Sequence, residues 1–255
     1  MTTLKAFVRR GQPIPREYHK WFSPNLQRDM EMLVFGYAGQ PMIFFPTRMA
    51  RFYDYENWGV INSLEDKLLG GKIQIYCLDS VDKDSFYNKN IPPAERMQRH
   101  SFFENYVLFE VLPFIRKRNS NIDFISAGCS LGAYHAVNLA FRFPQLFRKV
   151  VGLSGRYDLT IQLQYFNDLF DKYWDQNIYY NMPGQFVKYL KDESIIHLLQ
   201  KMEIILAVGE TDAFLNSNLE LSRHLKDRNI SHKFDVWKGE AHKAKYWSEM
   251  LPMYL

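Results

Sequence analysis

The stretch Ile122-Asp123-Phe124-Ile125-Ser126-Ala127-Gly128-Cys129-Ser130-Leu131-Gly132-Ala133-Tyr134-His135-Ala136 decides how this chain is read. Its first residues are mostly apolar and suit a buried strand. Gly128-x-Ser130-x-Gly132 comes next. Ala133, Ala136, Val137 and Ala140 then recur at helical spacing. A strand, G-x-S-x-G and a helix make a turn so tight that the residues flanking the serine must lack bulk. Its strained backbone lifts the Ser130 hydroxyl above the carboxyl edge of a sheet. The start of the helix faces any negative charge that forms there.

Working outward, the chain alternates strands and helices. Met30 to Tyr37, Met42 to Phe45 and Lys72 to Leu78 read as strands before the serine turn. Lys149 to Ser154, Glu203 to Gly209 and Lys233 to Trp237 read as strands after it. Helices are expected from about Trp58 to Leu69, from Ala94 to Arg118 with a break at Pro113, from Asn216 to Arg228 and from Ala244 to Tyr254. Residues 1–30, with Pro13, Pro15 and Pro24, read as an irregular lead-in with an edge strand. This rhythm predicts an α/β fold with a doubly wound, mostly parallel sheet, antiparallel at the edge where strands precede any helix. No repeat and no Gly- or Ser-rich linker divides the chain, so residues 1–255 are expected to form one domain.

Residues 155–200 interrupt the alternation with ten aromatics, among them Trp174 and Tyr180. An insertion at this point belongs above the carboxyl edge of the sheet. It is expected to act as a lid, with Trp174 and Tyr180 lining the substrate pocket. The alternative is helices that bury aromatics against the body, and both can hold together.

Composition narrows the function. Of 255 residues, 47% are hydrophobic and 24% charged, so the chain can build a large core. The net charge of +4 is scattered, with no basic stripe to suggest nucleic acid. Met1 to Arg10 lacks the apolar core of a signal peptide, and no apolar run reaches transmembrane length. A cytoplasmic protein without membrane contact is expected. Cys77 and Cys129 fall at separate strand ends and read as reduced core residues. No C-x-x-C or H-E-x-x-H occurs, so no metal is expected.

A serine hydroxyl needs a base, and the base needs an orienting acid. In the strand–turn–helix setting the acid follows a later strand and the histidine follows the last one. Asp212 comes after Val208-Gly209, and His242 comes after Trp237. Ser130, Asp212 and His242 therefore stand in the required order. Glu210 is the second choice for the acid and Asp158 the third. The other histidines read as surface or core residues. An oxyanion hole needs two backbone N–H groups. Leu131 supplies one, and Thr47 or Arg48, in the loop after Phe45, supplies the other.

Over roughly residues 30–255 the chain resembles the putative esterase family of α/β-hydrolases, related to esterase D and the antigen 85 mycolyltransferases. The resemblance rests on Gly128 to Ala136, on Leu153-Ser154-Gly155-Arg156-Tyr157-Asp158, on Gly209 to Asp212 and on Gly239 to Trp247. Phe52-Tyr53-Asp54 and the segment from Arg99 to Phe114 are also similar. It implies a serine hydrolase acting on small acyl esters or thioesters, with no cofactor and no metal. Two features depart from the common pattern. Pro46-Thr47-Arg48-Met49-Ala50 stands where many members have a Gly-rich loop, and Lys243-Ala244 follows His242 where many have Asp-Trp. The expected activity is carboxylic-ester hydrolysis. Acyl transfer on the same residues and a non-catalytic binding protein of the same fold are the alternatives. A homodimer is the default assembly.

Overall fold

The computed structural model describes residues 12–163 and 165–255. Within them eight strands form one sheet: β1 (Arg16–Ser23), β2 (Arg28–Phe35), β3 (Gln40–Phe45), β4 (Ile73–Leu78), β5 (Phe124–Cys129), β6 (Phe147–Leu153), β7 (Glu203–Gly209) and β8 (Lys233–Trp237). Their order across the sheet is β1-β2-β4-β3-β5-β6-β7-β8. β1 runs antiparallel to β2, and β2 to β4; every other pair is parallel. The antiparallel edge is where the sequence placed it. The first eleven residues of the expected lead-in lie outside the described residues.

The helices are α1 (Asp54–Asn57), α2 (Glu65–Leu69), α3 (Pro93–Tyr106), α4 (Leu112–Arg118), α5 (Leu131–Arg142), α6 (Gln176–Tyr180), α7 (Pro183–Phe186), α8 (Glu193–Lys201), α9 (Leu215–Asp227) and α10 (Ala244–Tyr254). Alternation along the central strands explains the two-sided cover. In β3, Met42 and Phe44 join one core, while Ile43 and Phe45 join the other. α3, α4, α5 and α9 close the second core, with Phe103, Ile115, Val137 and Leu225 buried. α10 closes the first through Trp247, Met250, Leu251 and Tyr254. Burying side chains of this size stabilises by roughly 1.5–3 kcal/mol each.

Two expected helices differ. The one expected over Trp58 to Leu69 is broken, because Gly59 takes φ +75° just after α1. Its N–H bonds to the Glu56 carbonyl, which ends α1, and the chain re-enters helix through a short turn at Asn62–Leu64. The helix expected from Ala94 to Arg118 opens into one wide π-turn, Val107–Val111, between α3 and α4. Pro113 has no N–H for the carbonyl four residues back and its ring would collide there, so the turn widens.

The described residues of 155–200 fold as loops and the short helices α6, α7 and α8. Phe170, Ile178 and Met182 pack with Leu131 and Tyr134 of α5 in a third buried cluster. Among the described residues, no helix is long and apolar enough to cross a membrane.

Candidate active site

Ser130 stands between β5 and α5 with φ +57° and ψ −121°. Strain of this kind persists only where the surroundings fix it. The fixing groups are visible. The Ser130 N–H donates to the Leu153 carbonyl at 2.8 Å, which ties the turn to β6. The Tyr55 hydroxyl donates to the Phe45 carbonyl at 2.9 Å and accepts from the Cys129 N–H at 3.2 Å. One buried phenol thus staples the end of β3 to the residue before the serine. A Cβ on Gly128 would lie 2.1 Å from the Gly132 oxygen, and one on Gly132 would lie 2.4 Å from the Phe45 oxygen. Neither position admits a side chain.

His242 reaches this hydroxyl from the loop after β8. Its Nε2 lies 2.9 Å from Ser130 Oγ, and its Nδ1 lies 2.9 Å from Asp212 Oδ2. Asp212 is buried, and its other oxygen accepts the Phe214 N–H at 2.9 Å. A carboxylate bonded in this way keeps the ring proton on Nδ1 and leaves Nε2 to accept from the serine. The imidazole is flanked edge-on by Phe214 and Trp247, with ring centroids 5.5 and 5.8 Å away. The loops after β7 and β8 also bind each other. The Glu210 N–H donates to the Trp237 carbonyl, and the Thr211 N–H donates to that of Gly239. Ala241, just before the histidine, takes φ +51°, and its carbonyl accepts from Ser154 Oγ at 3.4 Å.

The other candidate acids have different partners. Glu210 accepts the Gly239 N–H at 2.9 Å and so props the loop that carries His242. Asp158 accepts from Thr160 and from Gln185 Nε2 inside the insertion. His135 and His100 are buried behind the turn, and His232 bonds Ser222. Cys77 and Cys129 are free and buried, and burial pushes both thiols well up from their ordinary range. Among the described residues, no three His, Cys, Asp or Glu side chains group to hold a metal ion.

A cleft of about 290 Å³ opens beside Ser130. Thr47, Arg48 and Tyr87 reach it from the loops after β3 and β4. Leu131 belongs to the turn itself. Arg156 and Phe166 come from the segment after β6, Phe214 follows β7, and His242 and Trp247 follow β8. All are gathered at the carboxyl ends of strands, where open α/β sheets bind ligands. The N–H groups of Leu131, Thr47 and Arg48 bond to no acceptor among the described residues. That of Met49 is taken, because it donates to Asp82 Oδ2 at 2.8 Å. Asp82 is 1% exposed, and its Oδ1 lies 3.4 Å from His135 Nε2 on α5. Asp79 accepts from the Phe52 N–H and from Arg51 further along the same loop.

Trp174 and Tyr180 are not brought to this cleft. They are 59% and 57% exposed, and Tyr180 borders a separate hollow with Phe143 and Leu190. The insertion meets the cleft through Arg156 and Phe166 instead. α6 is anchored by Ile178, which turns Tyr180 outward. Sequence reading also missed Tyr55 and Asp82. Tyr55 lies among four aromatics from 52 to 58, which give no hint of a hydroxyl staple. Asp82 lies in a polar loop with Asp79 and Asp84, and nothing in that loop ranks one acid above another.

The profile of the family described as Putative esterase matches residues 60–255. The chain belongs to the putative esterase family. No curated protein matches this esterase. Solved structures do. A ferulic acid esterase superposes over 94% of this chain and 96% of its own, at 16% identity and a TM-score of 0.75. The fluorophosphonate-binding serine hydrolase FphF of Staphylococcus aureus matches over 95% and 97%, at 16% identity and a TM-score of 0.71. The S-formylglutathione hydrolase FrmB of the same organism matches over 95% of each chain, at 17% identity and a TM-score of 0.67. At such identities the likeness is one of fold.

Proposed function

We propose that this esterase hydrolyses small carboxylic esters or thioesters through an acyl-enzyme on Ser130. The observation that carries the reading is the unbroken hydrogen-bond chain from Asp212 through His242 to Ser130 Oγ at the floor of an open cleft. His242 Nε2 takes the hydroxyl proton as Oγ attacks the ester carbonyl. The carbonyl oxygen becomes an oxyanion, received by the free N–H of Leu131 and that of Thr47 or Arg48, above the start of α5. Asp212 holds the imidazolium. Collapse of the intermediate expels the alcohol or thiol, which takes the proton from His242. Water then repeats the cycle, and its proton also passes through His242 as the acid leaves. A cleft this small favours short acyl groups over long lipid chains.

The test uses short p-nitrophenyl esters and a fluorophosphonate probe. The wild-type protein should release nitrophenol and bind the probe covalently at Ser130. Ser130→Ala should abolish labelling and lower kcat by about 10⁶. A Ser130→Ala protein that retains most of its activity overturns the assignment. Acid as the product in the presence of added alcohol supports hydrolysis, whereas a new ester as the main product moves the reading to acyl transfer.

A further inference from the structure

The cleft beside Ser130 carries two guanidinium groups and no carboxylate. Arg48 and Arg156 both line it, and none of its other lining residues is acidic. Arg156 is 4% exposed. Its Nη2 donates to the carbonyls of Leu159, Ile161 and Asn167, which fixes the group but does not cancel its charge. Its Nε is buried, and among the described residues neither Nε nor Nη1 has a hydrogen-bond partner. The acids whose charge reaches it, Asp158 and Asp168, form no ion pair with it. Asp158 is bonded to Thr160 and Gln185, and Asp168 to the N–H groups of Phe170 and Lys172. Burial lowers the Arg156 pKa from its ordinary value, with those two charges opposing the shift.

A buried charge without a counter-charge is costly, and proteins rarely keep one unless something pairs with it. Arg48, on the loop after β3, is exposed and also makes no ion pair among the described residues; its guanidinium sits 6.0 Å from the Tyr87 ring centroid. Trp247 also lines the cleft, and its Nε1 is buried and has no acceptor among the described residues. The cleft thus carries net positive charge a short reach from Ser130, with no carboxylate lining it. Guanidinium forks match carboxylate and phosphate oxygens.

We propose that the preferred substrates are esters whose acyl or alcohol part carries an anionic oxygen group, a carboxylate or a phosphate, held by Arg48 and Arg156. The turnover this implies rests on the Ser130 reading above, but binding of the anion does not.

Matched pairs test it. For the alcohol part, 4-acetoxybenzoate is compared with 4-acetoxybenzamide, and 4-acetoxyphenyl phosphate carries the alternative anion. For the acyl part, p-nitrophenyl hydrogen adipate is compared with its methyl ester. At least one anionic member should exceed its neutral partner in kcat/KM by about tenfold or more, mainly through KM. The arm that shows the effect identifies the anion and where it sits. Raising NaCl from about 0.02 to about 0.5 M should shrink the ratio. Arg48→Gln should cut it about tenfold, and Arg156→Met at least as much where circular dichroism shows a folded protein. Should Arg156→Met not fold, Arg48→Gln decides. Ratios at or below one for every pair, or a ratio that Arg48→Gln leaves within about twofold, overturn the proposal and leave Arg156 as a clamp on backbone carbonyls. Calorimetric titration of Ser130→Ala with the same pairs reads binding without turnover. If the wild-type protein hydrolyses no ester, the Ser130 reading fails, and tighter binding of the anionic members still supports the anion site.

Discussion

The two sides of Ser130 are built by different means. On one side stand Asp212 and His242, whose side chains touch each other and Ser130 directly. On the other stands the loop from Pro46 to Ala50, which offers backbone N–H groups and is held in place from behind. Asp82 grips the Met49 N–H, and the Tyr55 hydroxyl grips the end of β3. Met49 takes φ +55°, a conformation that glycine would adopt without cost. The difference teaches how a loop can do without its glycines: a buried carboxylate supplies from outside the restraint that the loop's own sequence does not.

This comparison can be broken at either side. The largest effect after loss of Ser130 itself is expected at Asp212. Asp212→Asn keeps the shape but favours the wrong imidazole tautomer, and kcat should fall by about 10⁴. Assaying it beside Glu210→Gln sharpens the point, since the opposite ranking would hand the role to Glu210.

On the other side, Asp82→Ala releases the Met49 N–H and leaves His135 without its partner. The loop then loses its set, and kcat should fall by about 10–100-fold, below the 10²–10³ typical of deleting an oxyanion donor outright. KM should change little. Asp82→Asn can still accept from Met49 and should recover most of the rate. Equal losses in both variants would show that charge, not loop position, is what Asp82 supplies.

Two smaller effects bound the comparison. Glu210→Gln keeps an oxygen for the Gly239 N–H, so kcat should fall by less than about tenfold. Trp174→Ala and Tyr180→Ala remove exposed rings outside the cleft. Relative kcat/KM across a series of ester chain lengths should stay within about twofold, on the scale of ordinary surface changes. A marked change in chain-length preference would bring the second half of the insertion back to the substrate.

How much of this was legible in the sequence follows from the same contrast. The sheet was readable because its strands carry apolar runs bounded by turn residues, and β7, β8 and α10 match their expected limits to the residue. The meeting of Ser130, Asp212 and His242 was readable because each is a reactive side chain at a strand end, in a fixed chain order. The loop side was not. A backbone N–H belongs to every residue but proline, so neither Thr47 nor Arg48 announces itself. Asp82 acts across 33 residues of sequence, and nothing local marks it. The aromatic content of residues 155–200 drew attention to the segment, but among its aromatics it is Phe166, not Trp174 or Tyr180, that lines the cleft. Composition cannot tell Phe166, turned toward Phe214 with centroids 4.6 Å apart, from Tyr180 on the far face. The break at Gly59 went unread because a single left-handed residue is invisible to periodicity.

β8 has a consequence for how the protein fails when heated. It is five residues long, lies at the edge of the sheet and pairs with β7 alone. Short edge elements open at a fraction of the free energy of global unfolding. When β8 frays, the loop that carries His242 goes with it, while β5 and the serine turn stay clamped between β3 and β6. The fold then outlives its own site: a folded chain with the Ser130 turn intact and His242 withdrawn from it. Thermal inactivation is therefore expected below the melting temperature, with one peripheral strand setting the working ceiling of the enzyme.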